Sequence, residues 1–307
     1  MQVLTFLLKR FGWMIVTVWI VFTVSFFLMR QIPGGPFNGE RVLSEAVRAR
    51  LEARYNLDAP ISEQYFTHLW NTVQLDFGPS FKMQDFTVNE VLAQGFPVSA
   101  ALGILGMVFA ISIGMTSGVV SAVRRNSAYD YSFMLLATLG IAIPNFVLAA
   151  LLIVIFVFNL QLFPAAGWGD ISQIILPAFC LGAPFAGYIA RLTRTGMLEV
   201  LGNDYIRTAY AKGLSPRTVV LKHGLRGALL PVVSYLGPAI AGILTGSLVL
   251  ERIFVIPGMG SHLIEAAIQR DYTLAMGALL TYTVLLFVMN TLVDLAYSII
   301  DPRVHLE

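Results

Sequence analysis

Asn203-Asp-Tyr-Ile-Arg-Thr-Ala-Tyr-Ala-Lys-Gly-Leu-Ser-Pro216 is a polar, helix-forming island between two apolar runs, and its reading decides the fold. Gly202, Asn203 and Asp204 offer N-caps, whose side-chain oxygens accept otherwise unpaired backbone N–H groups. Tyr205, Ile206, Ala209 and Tyr210 follow at i, i+1, i+4 and i+5, which gives a short helix one apolar edge. Lys212 falls in the last turn, where a cation suits the helix dipole, and Gly213 occupies the position where a left-handed backbone ends helices. Ser215-Pro216 then reads as a second start, with Ser as N-cap and Pro as the first helical residue. A helix of about nine residues is not stable alone in water, so this one needs a packing partner. Either the segment folds back on its own helix ends, or a second protein covers the apolar edge.

The surroundings of this island are those of a membrane protein. Of 307 residues, 57% are hydrophobic and 12% charged, too apolar for an ordinary soluble domain. The charges cluster, and uncharged runs of about 20 residues separate them, the length a helix needs to cross a bilayer core. A net charge of +2 gives no general case for nucleic-acid binding. The single cysteine, Cys180, lies in an apolar run and reads as a small buried hydrophobe. His68, His223, His262 and His305 lack metal-ligand spacing and read as solvated or loop residues.

Lys9 and Arg10 precede the uncharged run Phe11–Met29. That run is longer than the apolar core of a secretory signal and ends in Leu-Met-Arg-Gln-Ile-Pro rather than at a small-residue cleavage site, so it reads as a first transmembrane helix. Five more apolar runs follow: Phe96–Val123, Tyr131–Phe163 with Pro144 inside, Ile171–Ala190, Gly227–Leu250 and Tyr272 to about Ile300. Pro177, Pro184 and Pro238 also fall inside these runs and predict bends. Small residues recur on the second run (Gly103, Gly106, Gly114, Gly118) and the fifth (Gly237, Gly242, Gly246), which permits close helix contact. The predicted fold is all-α, an integral membrane protein of six transmembrane helices.

Lys9/Arg10, Arg124/Arg125 and the loop 191–226 share one side of that arrangement. The loop has seven Lys/Arg residues (Arg191, Arg194, Arg207, Lys212, Arg217, Lys222, Arg226) against Glu199 and Asp204. The positive-inside rule then puts both termini in the cytoplasm. Residues 1–30 form the tail and first helix, 31–95 an external helical insertion, and 96–307 a five-span core with the cytoplasmic loop 191–226. In the insertion, Pro33-Gly34-Gly35-Pro36 breaks the first helix and Val42, Leu43, Ala46, Val47 and Leu51 recur at helical spacing. Ser62 is a candidate cap for a helix with Tyr65, Phe66, Leu69 and Trp70, which Asp76-Phe77-Gly78-Pro79-Ser80 ends.

Arg207-Thr208-Ala209-x-x-x-Gly213 followed by His223-Gly-Leu-Arg226-Gly-Ala-Leu-Leu230-Pro231 resembles the E-A-A-x-x-x-G loop of ATP-binding-cassette (ABC) importer permeases, in the version of dipeptide and oligopeptide permeases. Ile143-Pro144-Asn145-Phe146, Ser234-Tyr235-Leu236-Gly237-Pro238, Glu251-Arg-Ile-Phe254-Val-Ile-Pro257-Gly258-Met-Gly260 and Ile300-Asp301-Pro302-Arg303 agree, as do the external Asn56–Pro60 and Asp76–Ser80 stretches. Two features depart from the general importer pattern: Arg207-Thr208 stands where Glu-Ala is usual, and the interval from Gly213 to Leu230-Pro231 is longer. Both are similar to what peptide-type permeases carry.

The resemblance implies a type I ABC importer permease fold with an external insertion after the first span. It implies a half-pore in a prokaryotic inner membrane that pairs with a second, related permease. Two cytosolic ATPase subunits would bind ATP and Mg beneath it, and an external binding protein would deliver the substrate. No cofactor of this chain's own is implied, and no catalytic residue. The coupling helix would use Asp204, Tyr205, Ile206, Arg207, Ala209, Tyr210, Lys212 and Gly213. Short peptides are the default cargo of the family, whose members also move nickel complexes, glutathione and oligosaccharides.

No lysine of this chain follows a glycine, so the Gly-Lys-[Ser/Thr] end of a phosphate-binding loop is absent. A proton- or sodium-driven carrier places ionisable groups inside its spans, and only Asp294 and Glu251-Arg252 come near that here. A stand-alone carrier or channel is the alternative reading, for which the basic loop would be unnecessary. Candidates for the pathway or its gate are Asn145, Gln161, Tyr235, Glu251, Pro257 and Gly258, each with an ordinary packing or turn role as its alternative.

Overall fold

A computed structural model describes residues 2–32, 35–36, 57–83, 85–245 and 247–300. Regular structure among them is helical throughout, apart from one isolated bridge between Pro79 and Thr87. The expected helix around Val42–Leu51, the Pro33-Gly34 break, Asn56, Gly246, Asp301-Pro302-Arg303 and His305 lie outside the described residues. The chain divides into two compact units, residues 1–99 with 257–291 and 306–307, and residues 100–256 with 292–305.

In the first unit, α1 (Gln2–Gln31) and the start of α13 (Tyr272–Ile300) pack through Phe22 and Phe26 against Met276 and Leu280. The external helix α2 (Ile61–Val73) joins this cluster through Tyr65 and Leu69. Ser62 does not cap it. The helix begins directly after Pro60, which fixes the entry angle and has no side-chain acceptor to offer, so Ser62 falls inside the first turn. Arg30 donates from Nε and Nη2 to Gln64 Oε1 at 3.2 and 2.7 Å, and Gln64 Nε2 in turn donates to the carbonyls of Leu57 and Ala59. His68 sits half-buried on α2 beside the Phe26 ring, not in solvent as its sequence context suggests. Burial first, and then the Arg30 charge, lowers its pKa. His223 and His262 are also half-buried and helical.

The stretch Asp76–Ser80 ends α2 as expected, with Gly78 at φ +77° and its N–H bonded to Asp76 Oδ1 at 2.9 Å. Asp271, buried just before α13, gathers this segment. It accepts from Ser80 Oγ, from the Lys82 N–H at 3.2 Å and from the Thr273 hydroxyl and Leu274 N–H at 3.0 and 3.1 Å.

The second unit is organised around α6 (Ile171–Leu201), a 31-residue helix with Cys180 and Ile189 fully buried. It is packed between α3 (Val88–Val123) and α4 (Ala128–Ala142), and glycine makes both approaches possible. A Cβ on Gly182 would stand 2.4 Å from the Gly106 carbonyl of α3, and one on Gly187 2.4 Å from the Ala137 carbonyl of α4. On α3, a Cβ on Gly114 or Gly118 would stand 2.7 and 2.6 Å from the carbonyls of Ala186 and Ala190. The small-residue stripe of the second run is thus a close helix crossing. On the fifth run, a Cβ on Gly242 meets the Phe185 ring at ordinary contact distance.

Among the described residues, four helices are long and apolar enough to span a membrane: Val3–Gln31, Val88–Val123, Ile171–Leu201 and Tyr272–Leu295. The third run breaks at Pro144 into α4 and a helix α5 (Asn145–Leu152) continued by the π-helical turns Ile153–Asn159, with a bend of 112°. Proline removes an N–H and bars helical backbone at the preceding Ile143, whose ψ is 122°. Counted as one, the bent pair brings the candidate spans among the described residues to five. On the fifth run, α10 (Leu230–Thr245) and α11 (Leu248–Ile253) flank Gly246, which lies outside the described residues. The fourth run extends past its apolar part: no strong breaker stands between Ala190 and Leu201, so α6 continues and the expected loop 191–226 begins as its last turns.

Candidate functional site: the short basic-loop helix and the membrane candidates

Beyond α6 lies α7 (Asp204–Ala211), the short helix that the basic stretch predicts. Asn203 precedes it in extended geometry but gives no side-chain cap bond, so the expected cap is positional only. Lys212 closes it and Gly213 follows at φ +77°, a left-handed position that suits glycine. Ser215 caps the next turn, α8 (Pro216–Thr218), with Oγ accepting from the Thr218 N–H at 3.3 Å and Pro216 at the first helical position. A π-helical segment, Val219–Gly224, and a short α9 (Leu225–Ala228) lead back to α10.

The apolar edge of α7 proves to have two faces. Ile206 (2% exposed) and Ala209 (6%) lie three apart and point into a cluster of Ala122, Met197, Val200, Val219 and Ala228. Tyr205 (48%) and Tyr210 (45%) flank that stripe and stay open. The chain therefore supplies one packing partner for α7 itself, the fold-back alternative, and leaves two aromatic rings on the outside. Asp204 and Arg207 occupy the outer turn, with Arg207 Nη1 3.4 Å from Asp204 Oδ1, an exposed pair that adds little to stability. Thr208 returns its hydroxyl to the Asp204 carbonyl at 3.0 Å.

Directly beside this cluster is a charge cluster that sequence reading missed. Arg194 on α6 holds Asp130, at the start of α4, in a two-point pair: Nε to Oδ1 at 2.7 Å and Nη2 to Oδ2 at 2.8 Å. Ser121 Oγ on α3 also donates to Oδ1, and the N–H of Asn126 donates to Oδ2 at 2.9 Å. Asp130 is 2% exposed and Ser121 fully buried, so three helices meet at one carboxylate. The only sequence signal was a lone aspartate beside Arg124/Arg125. Its partner lies 64 residues away, and spacing carries no such information.

The pathway candidates lie on several elements. Asn145 opens α5, half-buried, while Gln161 is exposed at φ +53° just past the end of the π-helical turns. Tyr235 on α10 is half-buried with its ring 5.5 Å from Tyr188 of α6. Glu251 is fully buried on α11, a helix that packs against α5, and accepts from Ser247 Oγ at 2.5 Å. Pro257 is exposed and Gly258 buried at the start of α12 (Met259–Gln269). Gly258 has φ −94°, so a positive φ is not what permits the close approach expected at this turn. Gly95 does: a Cβ there would lie 2.8 Å from Met259 N, and Ser99 Oγ accepts that N–H at 2.9 Å. The strained residue is the exposed, β-branched Val255, at φ +52°.

Comparison with known proteins gives this arrangement its class. The family model of binding-protein-dependent transport system inner membrane components matches residues 106–306, which hold α6, α7 and the charge cluster. The chain is 50% identical over 302 residues to the dipeptide transport system permease protein DppB of Bacillus subtilis, covering 98% of each chain. It is 45% identical over 304 residues to the oligopeptide transport system permease protein OppB of Salmonella typhimurium, covering 98% of this chain and 99% of that one. Among solved structures, an inward-facing MetNI methionine ABC transporter aligns with a TM-score of 0.53 at 21% identity, over 68% of this chain and 94% of the other. An amino acid ABC transporter aligns at a TM-score of 0.50 and 16% identity, over 68% and 93%. This chain belongs to the family of binding-protein-dependent transport system inner membrane components. The family is one of multi-pass, non-catalytic transport subunits, and the solved neighbours share the helical fold of ABC importer permeases.

Proposed function

We propose that the chain is one of two permease subunits of an ATP-driven importer of short peptides and forms half of a pathway that works by alternating access. The observation that carries this reading is 50% identity to a dipeptide permease along 98% of both chains. The oligopeptide permease relatives support the same cargo class. The partners on this reading are a second, related permease, two cytosolic ATPase subunits that hold ATP and Mg, and an external binding protein.

Six spans cross a bacterial inner membrane with both termini in the cytoplasm, the segment that holds α10 and α11 serving as the fifth. The basic residues Lys9/Arg10, Arg124/Arg125 and those flanking α7 support that orientation. Residues 31–95 form an external insertion on a core of 96–307. The outer face of α7 (Asp204, Tyr205, Arg207, Tyr210, with Lys212 at its end) seats in an ATPase groove, while Ile206 and Ala209 anchor the helix to its own chain and Gly213 fixes its end. Asn145, Gln161, Tyr235 and Glu251 serve the pathway, and Pro257-Gly258 the outer mouth.

The test is to purify the cognate binding protein and identify its bound ligand by mass spectrometry. Peptides of a few residues are expected. A nickel complex, glutathione or an oligosaccharide would overturn the cargo class.

A further inference from the structure

The geometry points to the Ser121–Asp130–Arg194 cluster as a positioning clamp that makes α3, α4 and α6 move as one body with α7. This inference rests on the proposed role of α7 as the helix that receives the ATPase stroke.

Two sets of contacts lie back to back. Ile206 and Ala209 of α7 are buried against Ala122 and Met197, and these neighbour Ser121 and Arg194 on the same two helices. A displacement of α7 therefore presses on α3 and α6 within one turn of the clamp. The close approach of Gly187 to Ala137 holds α4 on α6 further along, and the clamp adds a directional polar point at the start of α4. A two-point guanidinium–carboxylate pair does not slide: both N–H groups must break together, and Asp130, at 2% exposure, has little water to replace them. Asn126, at φ +61°, turns the chain so that its own N–H completes the cluster, which ties the α3–α4 connection to the same carboxylate.

Past the clamp, α4 leads to the 112° bend at Pro144 and then to Asn145. The clamp is thus the joint through which a push on α7 reaches the bent span. Its members do not touch substrate, and they act by holding α4 in register with α6.

The experiment uses the whole complex in lipid vesicles, with spin labels on Thr208→Cys in α7 and Tyr131→Cys in α4. Both positions are exposed, and the native Cys180 is buried. With the clamp intact, the label-to-label distance distribution should be narrow and unchanged between nucleotide-free and nucleotide-trapped states. Asp130→Asn should broaden it at least about two-fold and raise the ATP hydrolysed per substrate moved several-fold. Arg194→Lys, which keeps the charge and loses the two-point geometry, should fall between. If Asp130→Asn lowers the yield of complex, Ser121→Ala supplies the same readout with one hydrogen bond removed, and it should broaden the distribution more weakly.

An unbroadened distribution with an unchanged ATP-to-substrate ratio in these variants would overturn the clamp, as would an intact-clamp distance that changes between nucleotide states. Failure of the underlying reading looks different. In that case the complex with the native cluster moves substrate without ATP, while the distances, which do not depend on transport, still report on the clamp.

Discussion

Gly213 concentrates the argument at the scale of single residues. Its φ of +77° and the empty space around a Cβ there mean that a side chain would meet a backbone penalty and no clash. That penalty is on the order of 1 kcal/mol for a simple Cβ and larger for a β-branched one. Gly213→Val should therefore leave membrane yield and thermal stability nearly unchanged, yet reduce substrate-stimulated ATP hydrolysis and uptake together in reconstituted complex. Normal uptake would make the segment a plain connector. The two faces of α7 separate in the same way. Tyr205→Ala or Tyr210→Ala should weaken co-purification with ATPase subunits while the permease melts as before. Ile206→Ala removes a side chain that is 2% exposed and should destabilise the α7 end of the chain by roughly 2–5 kcal/mol, a loss to be read by hydrogen exchange. Sequence reading found these residues because caps, a left-handed glycine and helical spacing are local signals. It placed all four apolar residues on one edge because spacing alone does not say which members of a broad stripe turn inward.

At the scale of elements, the crossings of α6 are set by backbone-to-backbone approach. Gly182→Leu would place a Cβ 2.4 Å from the Gly106 carbonyl and force α3 and α6 apart, a change expected to cost about 1–3 kcal/mol or more and to lower the melting temperature in detergent. Gly12→Leu, where no atom lies within 4 Å, is the matched control and should melt with the parent protein. An equal loss at both positions would contradict the crossing. The apolar runs located the middles of the long helices but not their ends: α1 starts nine residues before Phe11 and α3 eight before Phe96, because a helix continues through polar residues that an apolar run leaves out. They did not show that Pro144 turns one run through 112° or that α6 runs on to Leu201. The size of the bend depends on what neighbouring helices accept at the break. The extension of α6 brings Gly196 against Ala228, a contact between residues on separate elements that spacing does not carry. The Asp130–Arg194 pair was hidden for the same reason.

At the scale of the whole molecule, a transport permease chain with no phosphate-binding-loop motif carries a short helix, α7, with two exposed tyrosines. Motifs spread along the chain made the family legible, and the family match to residues 106–306 agrees with them. The candidate pathway residues were not legible to that degree, because on the proposed reading the pathway is shared by two chains and leaves no local pattern in either. The account's central claim is that transport by this chain is driven through α7 by ATPase partners. It is tested most directly by uptake of a short peptide into vesicles holding the complete complex, compared with vesicles lacking the ATPase subunits. Accumulation that requires the ATPases, ATP on their side of the membrane and the binding protein on the other is the expected result. Peptide accumulation by the permease chains alone, without ATP, would contradict it.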